Sequence, residues 1–191
     1  MFARTPRLLL RPGWMEDAPA LAEAIGNDAV LRNLAAARSP YGLTEAQAFL
    51  ARPLDHHMPQ LLAFTRTLGA PRLVGGCGIS QAPDGTPELG YWIARPYWGL
   101  GFATEAGQAV MSIARATGLS GVRAFHFADN PASGNVLRKI GFRFTGRTET
   151  RFSATRRAPV DCLLFEESAV ARMANDPALE LYRDGGPALA A

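Results

Sequence analysis

A turn that carries two glycines, Trp98 to Ala103, lies between a strand-like and a helix-like stretch of this 191-residue chain. Gly99 and Gly101 tolerate backbone conformations that other residues resist, so successive amides can point at one oxygen-rich group. The first N–H groups of the helix lack partners within it and lie at the positive end of its dipole. The turn therefore predicts a site for an anion such as a phosphate. The alternative is that the glycines serve only the packing of a strand–turn–helix unit.

Two common phosphate-binding motifs do not fit this turn. A nucleoside triphosphatase loop ends in Gly-Lys-Ser or Gly-Lys-Thr, and no such triplet follows Gly101. A dinucleotide fingerprint requires a third glycine where this chain has Thr104. The turn therefore belongs to neither of these nucleotide-binding classes.

The elements on either side of the turn follow from the spacing of apolar residues. Residues 88–93 alternate between the two faces of a strand, and Pro96 bars further pairing. From Thr104 onward the apolar residues recur at helical spacing, which predicts a helix that ends near Gly118.

A second strand and a second helix follow in the same pattern. Residues 122–128 predict a strand, after which Asn130-Pro131 supplies an N-cap residue and a proline at the first helical position. This helix is expected to end at Gly141. Because a strand–helix–strand crossover is right-handed, strands 88–93 and 122–128 are expected to be parallel neighbours.

The rest of the chain predicts further helices before the turn and strands on both sides of it. Asp17 is expected to cap one helix, and Thr44-x-x-Gln47 has the spacing of a capping box that opens another. Further strands are expected at 7–11, 61–66, 72–80, 142–145 and 160–166, with an arginine-rich hairpin connection before the last one. Three glycines within the 72–80 strand indicate a bulge or a close approach. The pattern is that of an α+β protein with an antiparallel meander and a mixed sheet.

Length and composition indicate a single globular domain, expected over residues 1–170, with a C-terminal tail at 171–191. The net charge of +3 does not indicate a nucleic-acid partner, and no apolar stretch approaches the ~20 residues of a membrane helix. Cys77 and Cys162 are expected to be buried free thiols, consistent with a cytoplasmic protein. No metal site is predicted, because the histidines at 56, 57 and 126 lack further ligands at binding spacing.

The turn resembles the pyrophosphate loop of the GNAT superfamily of N-acetyltransferases, whose pattern is Gln/Arg-x-x-Gly-x-Gly/Ala. The run Trp98-Gly99-Leu100-Gly101-Phe102-Ala103 matches this pattern except at Trp98. The wider run resembles the branch that acetylates the N-termini of ribosomal proteins, and the resemblance covers roughly residues 7 to 167. It implies the α/β/α sandwich of the GNAT acyl-CoA N-acyltransferases, in which strands 88–93 and 122–128 are splayed to admit the pantetheine arm of acetyl-CoA.

The resemblance also assigns residues to the cofactor, acetyl-CoA. The amides of 92–94 would bind pantetheine and polarise the thioester carbonyl, and the turn would bind the pyrophosphate. Asn130 would contact the pantetheine arm, with a plain N-cap as the alternative, and Ser133 would bond to the sulfur. The expected cofactor-binding residues are therefore Trp92, Ile93, Ala94, Trp98, Gly99, Leu100, Gly101, Phe102, Ala103, Thr104, Asn130 and Ser133.

Two residues are expected to be catalytic. Glu88 is the candidate general base, because the resembling branch places an acidic residue there; the alternative is a solvated charge at a hairpin end. Ser133 is the candidate donor to the leaving thiolate, since Leu137 stands where many GNAT enzymes have a tyrosine; water or unassisted departure are alternatives. Tyr41 and Tyr91 are expected to contact the acceptor, and these two and Tyr97 are further candidates for the proton donor.

The activity implied by the resemblance is acetylation of a primary amine by direct transfer in a ternary complex. An α-amino group titrates near ~7.7–8.0 and a lysine near ~10.4, so the α-amine loses its proton at lower cost. A protein N-terminus is therefore the first acceptor class, and a polyamine, amino sugar or amino acid is the second. A non-catalytic acyl-CoA sensor is the alternative of another kind. The protein is expected to be a monomer or a homodimer.

Overall fold

The computed structural model describes residues 1–55, 57–66, 69–168 and 180–182. Within these residues nine strands form one sheet, and five α-helices cover its faces. The strands are β1 (Phe2–Arg4), β2 (Leu8–Arg11), β3 (Gln60–Thr65), β4 (Leu73–Gln81), β5 (Pro87–Ile93), β6 (Arg123–Phe127), β7 (Phe142–Ser153), β8 (Ala158–Glu167) and β9 (Glu180–Tyr182). The helices are α1 (Ala18–Gly26), α2 (Asp28–Leu31), α3 (Leu43–Leu50), α4 (Phe102–Ala116) and α5 (Pro131–Lys139).

The sheet is mixed, with the strand order β7-β8-β6-β5-β4-β3-β2-β1-β9. Strands β3, β4 and β5 form the predicted antiparallel meander. Strands β5 and β6 are the predicted parallel neighbours, and α4 connects them. The other neighbouring pairs in the sheet are antiparallel.

Alternation along the strands sends apolar side chains into two cores. Leu62 and Phe64 of β3 pack with α1, α2 and α3 on one face of the sheet. Leu61 and Ala63 of the same strand belong to the larger core on the other face, which α4 and α5 complete. The helices therefore form two layers with the sheet between them, which confirms the predicted α/β/α sandwich.

Strands β5 and β6 pair only where they begin. The register joins Glu88 to Arg123 and Leu89 to Ala124, while β5 continues to Ile93 and β6 to Phe127. No ladder joins the later residues of these two strands in the described part of the chain. We call this opening, between residues 90–93 and 125–127, the β5–β6 gap. Parallel strands end at the same edge of a sheet, so the turns that lead into α4 and α5 lie beside the gap.

The glycines of β4 allow Trp92 of β5 to lie close to the neighbouring strand. A Cβ atom on Gly75 would stand 2.2 Å from the carbonyl oxygen of Trp92, and one on Gly76 would stand 2.7 Å from Trp92 Nε1. Neither distance leaves room for a side chain. The close approach predicted from these glycines is confirmed, and the indole packs on the face covered by α1–α3.

Several element boundaries differ from the predictions. The sequence did not predict β1, which pairs with β2 on one side and β9 on the other. Strand β7 continues to Ser153, so Arg147 and Arg151 lie in a strand rather than in a hairpin connection. The predicted capping box at Thr44 is wrong, because the amide of Gly42 donates to Glu45 Oε2 at 2.9 Å and α3 begins at Leu43. In the predicted tail, residues 171–179 and 183–191 lie outside the described residues.

Asp17 forms a buried ion pair instead of the predicted helix cap. Its carboxylate accepts hydrogen bonds from both terminal nitrogens of Arg11 at 2.7 Å and from the amide of Trp14 at 2.8 Å. The Arg11 guanidinium also lies 3.8 Å from the ring centroid of Trp14 and 4.1 Å from that of Phe64. Burial alone would raise the pKa of Asp17, but the hydrogen bonds from Arg11 and Trp14 outweigh burial and the pKa is lowered.

Replacement of Asp17 by asparagine is expected to destabilise the fold by about 3 kcal/mol, because Arg11 then remains charged and buried without a counter-ion. For a chain of this size the melting temperature should fall by about 6–12 °C at neutral pH. Since the folded-state pKa of Asp17 is lowered, its contribution is complete above the unfolded-state pKa of ~3.9 and disappears as the pH falls through the folded-state value. The difference in stability between the wild type and Asp17→Asn should therefore decrease as the pH is lowered.

The matched control is Asp84→Asn, which removes an ion pair with Arg123 whose side chains are 60% and 59% exposed. Exposed pairs contribute little, so this variant should keep the wild-type melting temperature. Equal decreases in melting temperature in Asp17→Asn and Asp84→Asn would show that the Arg11–Asp17 pair does not stabilise the fold through its burial.

Candidate functional site

The turn between β5 and α4 has the geometry predicted for an anion site. Gly99 and Gly101 have φ values of +76° and +82°, in the left-handed region that favours glycine. The amide of Glu105 donates to Gly101 O at 3.1 Å, so the amides of residues 101–104 precede the first intrahelical bond. No side chain of the described residues caps the start of α4. A Cβ atom on Gly99 would meet nothing within 4 Å, so the backbone here borders open space.

Arg7 and Glu105 hold this turn against the beginning of β2. Arg7 donates from Nε to Glu105 Oε2 at 2.6 Å and from Nη1 to the carbonyl of Leu100 at 2.8 Å. Thr5 Oγ1 donates to Glu105 Oε1 at 2.5 Å. Burial would raise the pKa of Glu105, but the hydrogen bonds from Thr5 and Arg7 outweigh it and lower the pKa. The sequence did not predict this contact of Glu105, because its partners are about 100 residues away in the chain.

Trp98, at the position where the pattern has Gln or Arg, closes the turn onto β5. Its Nε1 donates to the carbonyl of Ile93 at 2.6 Å, and the Arg95 guanidinium lies 4.7 Å from its ring centroid. Phe102, at the start of α4, packs edge-on against Tyr97 with the ring centroids 6.0 Å apart. These aromatic contacts stabilise the shape of the turn, but Trp98 brings no positive charge to it.

The backbone groups of β5 alternate between β4 and the β5–β6 gap. The amide of Ala94 donates to Val74 O at 2.8 Å, so the amide of Trp92, two residues earlier, also faces β4. The amides of Tyr91 and Ile93 face the gap. The prediction that residues 92–94 all offer amides to the cofactor is therefore corrected, because Trp92 and Ala94 are directed at β4. The alternation of residues along a strand could have shown from the sequence that the amide of Tyr91 faces the gap in place of the amides of Trp92 and Ala94.

The start of α5 faces β5 across the gap. Asn130 occupies the N-cap position, yet its side chain makes no capping hydrogen bond, so the plain N-cap interpretation is not supported. The hydroxyl of Tyr91 is 2.7 Å from Ser133 Oγ and donates to Ser133 O at 2.9 Å. Leu137 is fully buried in the core shared with α4. The structure thus brings Tyr91, which was predicted to contact the acceptor, to Ser133, which was predicted to contact the cofactor sulfur.

Glu88 lies at the start of β5, on the face of the sheet opposite Tyr91. Its Oε2 accepts a hydrogen bond from Arg151 Nη1 at 2.8 Å, and its side chain is 17% exposed. The Arg151 guanidinium stacks on Phe125 of β6, 4.0 Å from the ring centroid, and approaches Glu149 at 3.5 Å. Glu88 is therefore an ion-paired carboxylate next to the gap, and not the solvated charge of the alternative interpretation.

Tyr41 lies among the residues of the α1–α3 layer, the layer that also packs against Trp92. Its hydroxyl is buried and has no hydrogen-bond partner among the described residues. Burial raises the pKa of Tyr41, while Arg52 has a smaller lowering effect and Glu45 a smaller raising effect, so the hydroxyl is neutral. A neutral hydroxyl can donate one hydrogen bond, and no described residue accepts it.

The histidines and cysteines bear on two other kinds of site, metal centres and reactive thiols. Within the described ranges no group of three or more His, Cys, Asp or Glu is placed to hold a metal ion, and His56 lies outside those ranges. Cys77 and Cys162 are the predicted buried free thiols, and burial raises the pKa of Cys77 to about 12. Among the helices of the described residues none is long and apolar enough to cross a membrane.

A family model described as an acetyltransferase (GNAT) domain matches residues 7–143, which is more than half of the chain. The chain belongs to the GNAT acetyltransferase family. A similar protein is the uncharacterized N-acetyltransferase YoaA of Bacillus subtilis, which is 29% identical over 158 residues that cover 74% of this chain and 82% of that protein. GNAT acetyltransferases use acetyl-CoA and act on an amine, which confirms the predicted enzyme class and cofactor.

Solved structures confirm the GNAT fold. A GNAT acetyltransferase from Bacillus anthracis has a TM-score of 0.73 at 21% identity and covers 87% of this chain and 97% of its own. RimL, a ribosomal L7/L12 α-N-protein acetyltransferase in complex with coenzyme A, has a TM-score of 0.71 at 20% identity. It covers 85% of this chain and 94% of its own. The described residues also fit the GNAT cofactor, since uncapped amides at α4, open space at Gly99 and a gap in the sheet suit a diphosphate and an extended arm.

Proposed function

We propose that the protein transfers the acetyl group of acetyl-CoA to the α-amine of a protein N-terminus within a ternary complex. The β5–β6 gap carries this proposal, because Glu88 approaches it from one face of the sheet and Ser133 from the other. Bound acetyl-CoA supplies a thioester: the amine nitrogen bonds to the acetyl carbon, the carbon–sulfur bond breaks, and its electron pair leaves on sulfur. A gap accessible from both faces allows the amine and the thioester to meet without a covalent enzyme intermediate.

For binding of acetyl-CoA, the acetyl donor, the chain offers mainly backbone amides and few charged side chains. The amides of residues 101–104 would hold the diphosphate at the start of α4, and Gly99 leaves room for it. The amides of Tyr91 and Ile93 would bind the pantetheine arm and polarise the thioester carbonyl. Asn130, whose side chain does not cap α5, would contact the same arm.

On the acceptor side, Glu88 would take the proton of the attacking amine through one water molecule. Its Oε2 is bonded to Arg151, whereas its Oε1 accepts no hydrogen bond from the described residues. A positioned general base contributes ~10²–10⁴-fold to the rate. The hydroxyl of Tyr41 would donate to a polar group of the acceptor, which would recover the ~1–3 kcal/mol that an unpaired buried hydroxyl costs.

The charge beside Glu88 favours an α-amine as the acceptor. Arg151 forms an ion pair with Glu88 at 2.8 Å, which neutralises part of the negative charge that would attract a protonated amine. At pH 7 an α-amine with a pKa near ~7.7–8.0 is neutral far more often than a lysine with a pKa near ~10.4. The site therefore suits the acceptor whose amine has the larger neutral fraction at this pH.

The test compares peptides that differ only in the position of their free amine. A lysine-free peptide with a free N-terminus should be acetylated, and the same peptide with a blocked N-terminus and one internal lysine should react about 200–400-fold more slowly at pH 7, the ratio of the neutral fractions of the two amines. Polyamines, amino sugars and free amino acids complete the panel. Faster turnover of one of these than of every peptide would overturn the α-amine assignment, and coenzyme A binding without any acetyl transfer would favour the sensor alternative.

A further inference from the structure

Tyr91 is the residue of β5 that reaches across the β5–β6 gap to α5. Its side chain lies on the face that α4 and α5 cover, and its hydroxyl contacts both oxygens of one residue. The carbonyl oxygen of Ser133 is 2.9 Å away and the hydroxyl oxygen is 2.7 Å away. Two contacts to the same residue fix the positions of its carbonyl oxygen and of its hydroxyl oxygen.

A tyrosine has one hydroxyl hydrogen, so only one of these two oxygens receives it at a time. When Tyr91 donates to the carbonyl of Ser133, the Ser133 hydroxyl in turn donates to Tyr91. When Tyr91 donates to Ser133 Oγ, the hydrogen of Ser133 is released for another acceptor. A negative charge in the gap would favour the second arrangement, because hydrogen bonds in a chain polarise one another.

Tyr91 is poorly suited to give up its own proton. Burial raises its pKa well above the ordinary value, and the hydrogen bond with Ser133 offsets only part of that effect. Cys77, opposite Tyr91 on β4, is itself buried and neutral. A thiol titrates near ~8.5, so transfer of a proton from such a tyrosine to a thiolate would be uphill. The hydroxyl is therefore suited to orient a neighbour and not to act as an acid.

We propose that Tyr91 is a positioning residue, whose hydroxyl donates to Ser133 Oγ so that Ser133 directs its own hydrogen bond to the thiolate sulfur of coenzyme A. Tyr91 has this role only if the proposed function is right in placing the sulfur at Ser133. Leu137 on α5 has no hydroxyl, so in this arrangement a hydroxyl of β5 helps to direct the hydrogen bond to the sulfur. Each added hydrogen bond to the sulfur stabilises the thiolate relative to the thiol.

The experiment titrates the thiol of bound coenzyme A by the ultraviolet absorbance of its thiolate, in the wild type, Tyr91→Phe, Ser133→Ala and the double variant. In the wild type the thiol should titrate below its value in free coenzyme A. Tyr91→Phe should raise the titration midpoint by about one unit, and Ser133→Ala by at least as much. The double variant should match Ser133→Ala, because Tyr91 acts through Ser133. The kcat of Tyr91→Phe should fall about tenfold with little change in KM.

The titration distinguishes a failure of the role proposed for Tyr91 from a failure of the proposed function. An unchanged midpoint in Tyr91→Phe, or shifts that add in the double variant, would overturn the role of Tyr91 even if the wild type acetylates amines. A wild type that acetylates no amine, yet shows the expected shifts, would contradict the proposed function and not the contact with the sulfur. Melting temperatures and coenzyme A affinities of the variants identify any loss that comes from misfolding, and in that case Ser133→Ala alone still tests the sulfur contact.

Discussion

Coenzyme A affinity is expected to fall about a hundredfold when Gly99 is replaced by valine. Gly99 has a φ of +76° and its backbone borders open space at the start of α4. A β-branched side chain there would occupy the position of the diphosphate and separate it from the amides of residues 101–104. Loss of two hydrogen bonds to a charged group, at ~1.5–3 kcal/mol each, corresponds to about a hundredfold or more in affinity. Isothermal titration of the purified protein with coenzyme A measures the change.

Gly85→Val is the matched control for this substitution. Gly85 lies in the turn between β4 and β5, has a φ of +80°, and a Cβ atom there would also meet nothing within 4 Å. Both variants therefore carry the same backbone penalty of ~1–2 kcal/mol for a left-handed residue. Their melting temperatures should fall equally, while only Gly99→Val should lose affinity for coenzyme A. Equal affinities in the two variants would show that the diphosphate does not lie on this turn.

The anion site could be predicted from the sequence because its signals are local. The two glycines, the end of strand periodicity and the start of helical periodicity all lie within one short stretch, and the structure places them as expected. The β5–β6 gap is different. No local rule predicts that two parallel strands stop pairing after Leu89 and Ala124, and the expectation came from the resemblance alone.

The partners of charged residues could not be predicted, because they depend on tertiary contacts. Glu88 and Arg151 are 63 residues apart, and their contact requires β7 to continue far beyond its predicted end. For Asp17 the preference for helix caps pointed to the wrong role. A cap contributes ~0.5–2 kcal/mol, whereas a buried Arg11 without a counter-ion would cost ~3–5 kcal/mol, so the ion pair forms instead.

The contact between Tyr91 and Ser133 could be predicted from the sequence only in part. Strand alternation places Tyr91 on the same face as Leu89 and Ile93, and the crossover rule places the start of α5 at the same edge of the sheet. These rules predict that the two residues lie near each other. They do not predict that one hydroxyl meets both oxygens of Ser133, because that depends on how far β5 and β6 separate.

Replacement of Glu88 by glutamine is expected to lower kcat by about 10²–10⁴-fold, the range that a positioned general base contributes. Glutamine keeps the size of the side chain and an oxygen that can accept from Arg151, but it cannot take a proton from the acceptor amine. Coenzyme A should bind the variant with wild-type affinity, because the diphosphate and pantetheine contacts come from other residues. Single-turnover acetyl transfer to the best peptide, measured with saturating acetyl-CoA, tests this prediction.

Arg151→Met separates a catalytic role of Glu88 from a structural role of its ion pair. Methionine keeps an apolar stem against Phe125 and removes the positive charge that lies 2.8 Å from Glu88. If the carboxylate is the base, this variant should retain most of the wild-type kcat, since both oxygens of Glu88 become available to water and the amine. If the ion pair matters only because it links β7 to β5 across the two strands between them, Arg151→Met and Glu88→Gln should lose activity together with stability. A large loss in Glu88→Gln alone, at an unchanged melting temperature, is therefore the result that identifies Glu88 as the base.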